Sequence, residues 1–166
     1  MLKLSTKDSL KIKLSKGARI DPMGGIFKFG CIVGVAVASL GEAAGHGLWM
    51  DQPGLESCAA LMAAEEKGLK CRATHPSYFR DGFGTYLGKL TNPSVKDGVV
   101  VADMNFSEVS TKSIMGNMAE YIMSMAKETP EDLGLSMHGD YDIAAMAAFM
   151  MANGATSAVL DQETGQ

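Results

Sequence analysis

Apolar residues fill every odd position from Phe27 to Val37 in the run IFKFGCIVGVAVAS (26–39), which predicts one long strand with a fully buried face. Gly30 and Gly34 fall on the other face and predict a bend or a close backbone approach, as where a strand curls around a small barrel. The Gly-rich stretch GEAAGHG (41–47) reads as a turn, followed by Asp51 as a helix N-cap with Pro53 in the first turn. Leu55, Cys58, Ala59, Met62 and Ala63 then recur at helical spacing until Gly68, predicting a surface helix.

KCRATH (70–75) reads as a short strand ending at Pro76. Segments 84–91 and 99–106 predict two strands joined by the turn NPSVKDG. Ile114, Met118, Tyr121, Ile122 and Met125 mark a second amphipathic helix stopped by Thr129-Pro130, a strand is expected over 134–138, and the Ala- and Met-rich stretch 142–153 predicts a short helix. The sum is an α+β fold, a small strand-dominated barrel flanked by two or three helices. Residues 1–25 read as an N-terminal arm containing an edge-strand candidate, 26–141 as the main domain, and 142–166 as a C-terminal helical or irregular segment.

Composition narrows the function classes. The chain has 166 residues, with 15 Lys+Arg against 19 Asp+Glu for a net charge of −4. A mildly acidic balance argues against broad electrostatic capture of nucleic acid or of an anionic membrane. The longest apolar run, 31–40, is about half of what a membrane-spanning helix requires, so a soluble, intracellular chain is expected. Cys31, Cys58 and Cys71 are odd in number and lack C-x-x-C spacing, which speaks against a disulfide framework and a thiolate zinc site and for a reducing compartment. Thirteen methionines exceed what one small core needs and leave a homo-oligomer interface open. Neither a cofactor nor a metal is called for by any motif.

Three histidines, His46, His75 and His138, are the scarce reactive resource, and a lone histidine is ordinarily a surface or satisfied one. His75 stands out because it precedes Pro76 at a strand end, and His46 because it lies between two glycines. Ser136 sits in Gly134-Leu-Ser-Met-His138; a serine there is ordinarily only a serine, and a nucleophile needs a base in reach and a third group to orient that base. The G-x-S-x-G elbow and the phosphate-binding loop are missing from the sequence.

The order THP (74–76), LGKLTN (87–92), VADMNF (101–106), a helix and PEDLGLSMH (130–138) resembles the capsid maturation, or prohead, proteases of tailed bacteriophages. The resemblance spans roughly residues 26–140 and implies the fold of the related herpesvirus assembly proteases. It implies Ser136 as nucleophile and His75 as general base. For the third group, the turn in which part of the family carries an acid holds Gly45-His46-Gly47 here, so the resemblance points to His46. Asp140, Asp142 and Asp161 remain alternatives, as does an acid lost with a truncated C-terminus. The implied function is a serine endopeptidase that processes capsid and scaffolding proteins, its own chain included, inside the immature phage head in the host cytoplasm.

Two rivals stand beside it. One is a non-catalytic head or scaffold assembly module of the same fold. The other is a metal-dependent hydrolase using His46, His75 and Asp51 or Asp103, disfavoured because no H-x-x-x-H pair occurs. Asp103 itself reads either as the orienting group of a catalytic residue or, more ordinarily, as a strand-end turn cap.

Overall fold

The computed structural model describes residues 18–43, 48–73, 84–130, 133 and 135. Its middle strand is β7 (Val99–Phe106), where an uninterrupted alternation survives: Val100, Ala102, Met104 and Phe106 are all buried on one face. Around it lie β1 (Arg19–Asp21), β2 (Cys31–Ser39), β5 (Leu69–Arg72) and β6 (Tyr86–Lys96), in the antiparallel order β1-β2-β7-β6-β5. A separate two-stranded ladder joins β3 (Gly41–Ala43) to β4 (Leu48–Met50). The helices are α1 (Gln52–Ala64), α2 (Glu108–Thr111) and α3 (Met118–Glu128). This is the strand-dominated α+β class expected from the sequence. Among the described residues β1 and β5 are the two edges and do not pair with each other, so this part of the sheet is open where a barrel was expected.

One row of the ladder, Ile20, Ile32, Met104, Leu90 and Leu69, crosses all five strands on the helix-covered face. The next row, Asp21, Cys31, Asn105, Lys89 and Lys70, crosses them on the other face and is mostly polar. Two apolar clusters fill the helix side. In the first, Ile32, Val35, Leu87, Met104 and Phe106 pack against Met118, Ala119, Ile122 and Ala126 of α3. In the second, Val37, Val100 and Ala102 pack against Leu55 and Met62 of α1. Ile32, Leu55 and Phe106 are fully buried, and each such side chain contributes about 1.5–3 kcal/mol from removal of its surface from water.

α1 begins as its sequence dictates: Asp51 Oδ1 accepts from the Gly54 N–H at 2.8 Å, and Pro53 sits in the first turn where no amide hydrogen is needed. It ends at Ala64, ahead of Gly68, whose left-handed backbone (φ +73°) carries the chain into β5. α3 is capped by Asn117, whose side-chain oxygen accepts from the Glu120 N–H at 3.1 Å.

Three boundaries differ from expectation. The strand predicted from Ile26 starts only at Cys31, because Gly25, Lys28 and Gly30 all adopt positive φ and turn 22–30 into a loop. Phe27 and Phe29 are consequently 37% exposed rather than buried. The expected turn NPSVKDG is mostly strand: β6 runs on to Lys96, and the reversal is confined to Asp97 and Gly98, both with positive φ. Ile114 lies outside α3 and is 84% exposed, while α2 was not foreseen.

The strands flanking β7 each accommodate an extra residue opposite its middle, and β2 takes a second one between Ala36 and Ala38. Ile32 pairs with Met104 and Val35 with Ala102, so 33 and 34 together face Asp103. Thr91 pairs with Asp103 and Ser94 with Val101, so 92 and 93 together face Ala102. Gly34 (φ +74°) and Asn92 (φ +53°) supply the left-handed residues, and Pro93 falls where a ladder hydrogen bond is already missing.

Candidate functional site

Ser136, His75 and His46, with His138, Asp140, Asp142 and Asp161, lie outside the described residues, as do the expected strand over 134–138, apart from Leu135, and the helix over 142–153. The described chain leads up to two of them. β5 delivers Ala73, two residues before His75, and its N–H donates to Thr85 O at 2.9 Å, so the two ends of the 74–84 stretch are joined. Ala73 packs against the first core cluster. Leu135, the residue before Ser136, packs against both clusters, and Leu133 against the first.

Downstream of His75, the other end of that stretch is held from α2's side of the molecule. Ser113 Oγ donates to Gly84 O at 3.1 Å and accepts from the Met115 N–H at 3.0 Å. Gly84 has φ +79°, and the Ile114 side chain lies 3.0 Å from where a β-carbon would stand. A side chain at Gly84 would therefore be both strained and crowded.

The two carboxylates offered to a metal have structural partners. Asp51 caps α1, and Asp103 Oδ1 accepts from the Gly34 N–H at 3.0 Å while Oδ2 accepts from Asn92 Nδ2 at 2.8 Å. One carboxylate in the middle strand thus ties together the irregularities of both neighbours. Asp103 lies inside β7, not at a strand end, which corrects the turn-cap reading and replaces it with a clamp across three strands. Among the described residues no group of three or more His, Cys, Asp or Glu side chains is placed to hold a metal ion.

Comparison of the chain with protein-family models, curated proteins and solved structures returns no match. The likeness to the prohead proteases accordingly rests on the order and chemistry of short motifs. No helix among the described residues is long and apolar enough to cross a membrane.

The cysteines nearest these features are held as thiols. Burial pushes Cys71 up to about 11, and Cys58 is raised for the same reason. Cys31 is raised by burial first and then by the Asp21 and Asp103 carboxylates. None of the three is poised as a thiolate nucleophile.

Asn105 is the polar residue that sequence reasoning passed over. It is buried at 3% exposure; Oδ1 accepts from the Ile26 N–H at 3.1 Å, and Nδ2 donates to Thr91 Oγ1 and to Asp103 O, each at 2.9 Å. It pins the 22–30 loop across the polar face of the sheet. The signal was present in VADMNF, where Asp103 and Asn105 stand two apart and share a face.

Proposed function

We propose that this chain is a serine endopeptidase of the prohead-protease kind, with the herpesvirus-protease-like fold that the motif order implies. Its substrates are capsid and scaffolding proteins of the immature phage head, its own chain among them. The observation that supports the reading is the shared packing of Ala73 and Leu135 on one core cluster, because these residues stand two before His75 and one before Ser136. Segments 62 residues apart in sequence, at Ala73 and Leu135, therefore enter the two motifs from a common buried support, as a nucleophile and base drawn from different elements require.

In this reading Ser136 Oγ attacks the scissile peptide carbonyl as His75 takes its proton. The tetrahedral intermediate collapses to an acyl-enzyme when that proton passes to the leaving amine. Water, deprotonated by His75, then releases the new carboxylate and restores the serine. His46 orients the imidazole, with Asp140, Asp142 and Asp161 as the alternative orienting groups, and backbone N–H groups hold the oxyanion.

The test is intact-mass analysis after treatment with a fluorophosphonate, alongside Ser136→Ala, His75→Ala and co-expression with capsid protein. A single adduct at Ser136, lost in Ser136→Ala and suppressed in His75→Ala, with processing lost in both, is the expected result. Unchanged processing in both variants would sink the enzyme and leave the assembly module standing.

A further inference from the structure

β1 ends the five-stranded sheet. Among the described residues it pairs with β2 alone, so its other side offers the backbone amide and carbonyl groups onto which a further strand can add. Alternation puts Arg19 and Asp21 on the polar face and Ile20 on the helix-covered face, where it lies partly buried against the first core cluster. Neither charge is spent within the described chain: the one salt bridge among the described residues joins Lys112 to Glu108, and the Asp21 carboxylate accepts from the Met23 N–H at 3.2 Å.

The order Arg-Ile-Asp is complementary to itself when reversed. A second copy related by a two-fold axis at Ile20 lays two β1 strands antiparallel, with Ile20 opposite Ile20 and Arg19 opposite the partner's Asp21 in both directions. Side chains directly opposite lie on one face with β-carbons about 4.5–5.5 Å apart, within reach of an ion pair. Moving the axis to Arg19 or to Asp21 sets like charges against each other, and a one-residue slip aligns the polar face of one copy with the helix-covered face of the other. Charge and face therefore select a single register. Apolar surface adjoins the strand: β1 runs directly into the 22–30 loop, whose Met23, Ile26, Phe27 and Phe29 are between 37% and 77% exposed on a backbone that Asn105 holds. At roughly 200 Å2 for each large apolar side chain these four offer about 400 Å2, near the apolar share of the ~800 Å2 that one partner brings to a standard interface.

We propose that two copies of this chain join through β1, with Arg19 and Asp21 pairing reciprocally across the two-fold axis, so that the two sheets run on as one. The contact is independent of the protease reading.

The full-length chain and its Arg19→Asp and Asp21→Arg variants are followed by sedimentation equilibrium from low micromolar to near-millimolar protein, with thermal melting to establish that each is folded. The wild type is expected to be a concentration-dependent dimer. Each single variant sets like charges opposite each other at two symmetry-related places and is expected to dimerise about tenfold or more weakly. An equimolar mixture of the two variants brings opposite charges together again at both places and is expected to form a heterodimer at near wild-type affinity, as is the double swap Arg19→Asp/Asp21→Arg on its own. Arg19→Lys keeps the charge and is expected to stay close to wild type, so the comparison with Arg19→Asp decides the matter even where Asp21→Arg, which loses the acceptor for the Met23 N–H, does not fold. A wild type that is monomeric throughout, leaving the edge to a different protein, overturns the proposal. A dimer indifferent to Arg19→Asp overturns it by placing the interface elsewhere, and folded single variants that stay apart when mixed overturn the reciprocal pairing.

Discussion

Replacing Asp103 by Ala tests the clamp across the three central strands. Two bonds are lost. The Gly34 N–H at 3.0 Å sits in a part-buried setting, and a bond to a charged acceptor there contributes about 1.5 kcal/mol. The Asn92 bond at 2.8 Å is solvent-exposed and contributes about 0.5 kcal/mol. The sum, about 2 kcal/mol, corresponds to a Tm lowered by about 4–8 °C for a chain of this length. Asp103→Asn should cost less, since its amide oxygen still accepts from Gly34 and Asn92 can turn its own amide to accept from the new one. Chemical denaturation of Asp103→Ala, Asn92→Gly and the double variant completes a thermodynamic cycle. Gly preserves the left-handed backbone at position 92, so only the side-chain bond is removed. A coupling of about 0.5 kcal/mol between the two positions is expected. A stability for Asp103→Ala within about 0.5 kcal/mol of wild type would refute the clamp and return Asp103 to the list of carboxylates free for chemistry.

Two further outcomes follow from the packing. Gly88→Ala should abolish cooperative unfolding, at a cost above about 4 kcal/mol, because a β-carbon there would stand 1.8 Å from Asn105 O; a melt within a few degrees of wild type would contradict the close β6–β7 approach. Cys71 ties stability to alkaline pH: its thiol ionises near 9.0 when unfolded and at about 11 when folded, so its contribution is complete below pH 9. It is lost as pH rises towards 11, about 2–3 kcal/mol over two pH units, and Cys71→Ala should flatten that part of a denaturation-versus-pH curve.

Where one residue's chemistry decides a local structure, the sequence was legible. Asp51 with Pro53 announced the start of α1, and Thr129-Pro130 the end of α3. What escaped was set by backbone conformation at a distance. IFKFG alternates like a strand, yet the positive φ values of Gly25, Lys28 and Gly30, with Asn105 accepting from Ile26, hold it as a loop. Pro93 and Asn92 looked like a turn because their composition is that of one, while the pairing on either side makes them an irregularity inside β6. For the candidate site, residue types and motif order could be read from the string. The clamp role of Asp103 could not, because it depends on Gly34 and Asn92 meeting it from strands 69 and 11 residues away.

The extra residues opposite Asp103 and Ala102 also act as phase shifters. β7 keeps its even-numbered residues inward throughout, whereas β2 turns from Ile32 inward to Val35 inward, and β6 from Leu90 to Val95. Each neighbour changes parity opposite the middle of β7, at nearly the same height, which lets two apolar clusters share one continuous central strand; β2 shifts a second time between Ala36 and Ala38. Removing a single residue at 34 or at 92 would keep every hydrophobic letter and still turn half a strand inside out, sending Val37 or Val95 to the polar face. Length at these two points is therefore as strictly specified as residue identity is in the core, and any lineage of this chain should tolerate substitution there far better than insertion or deletion.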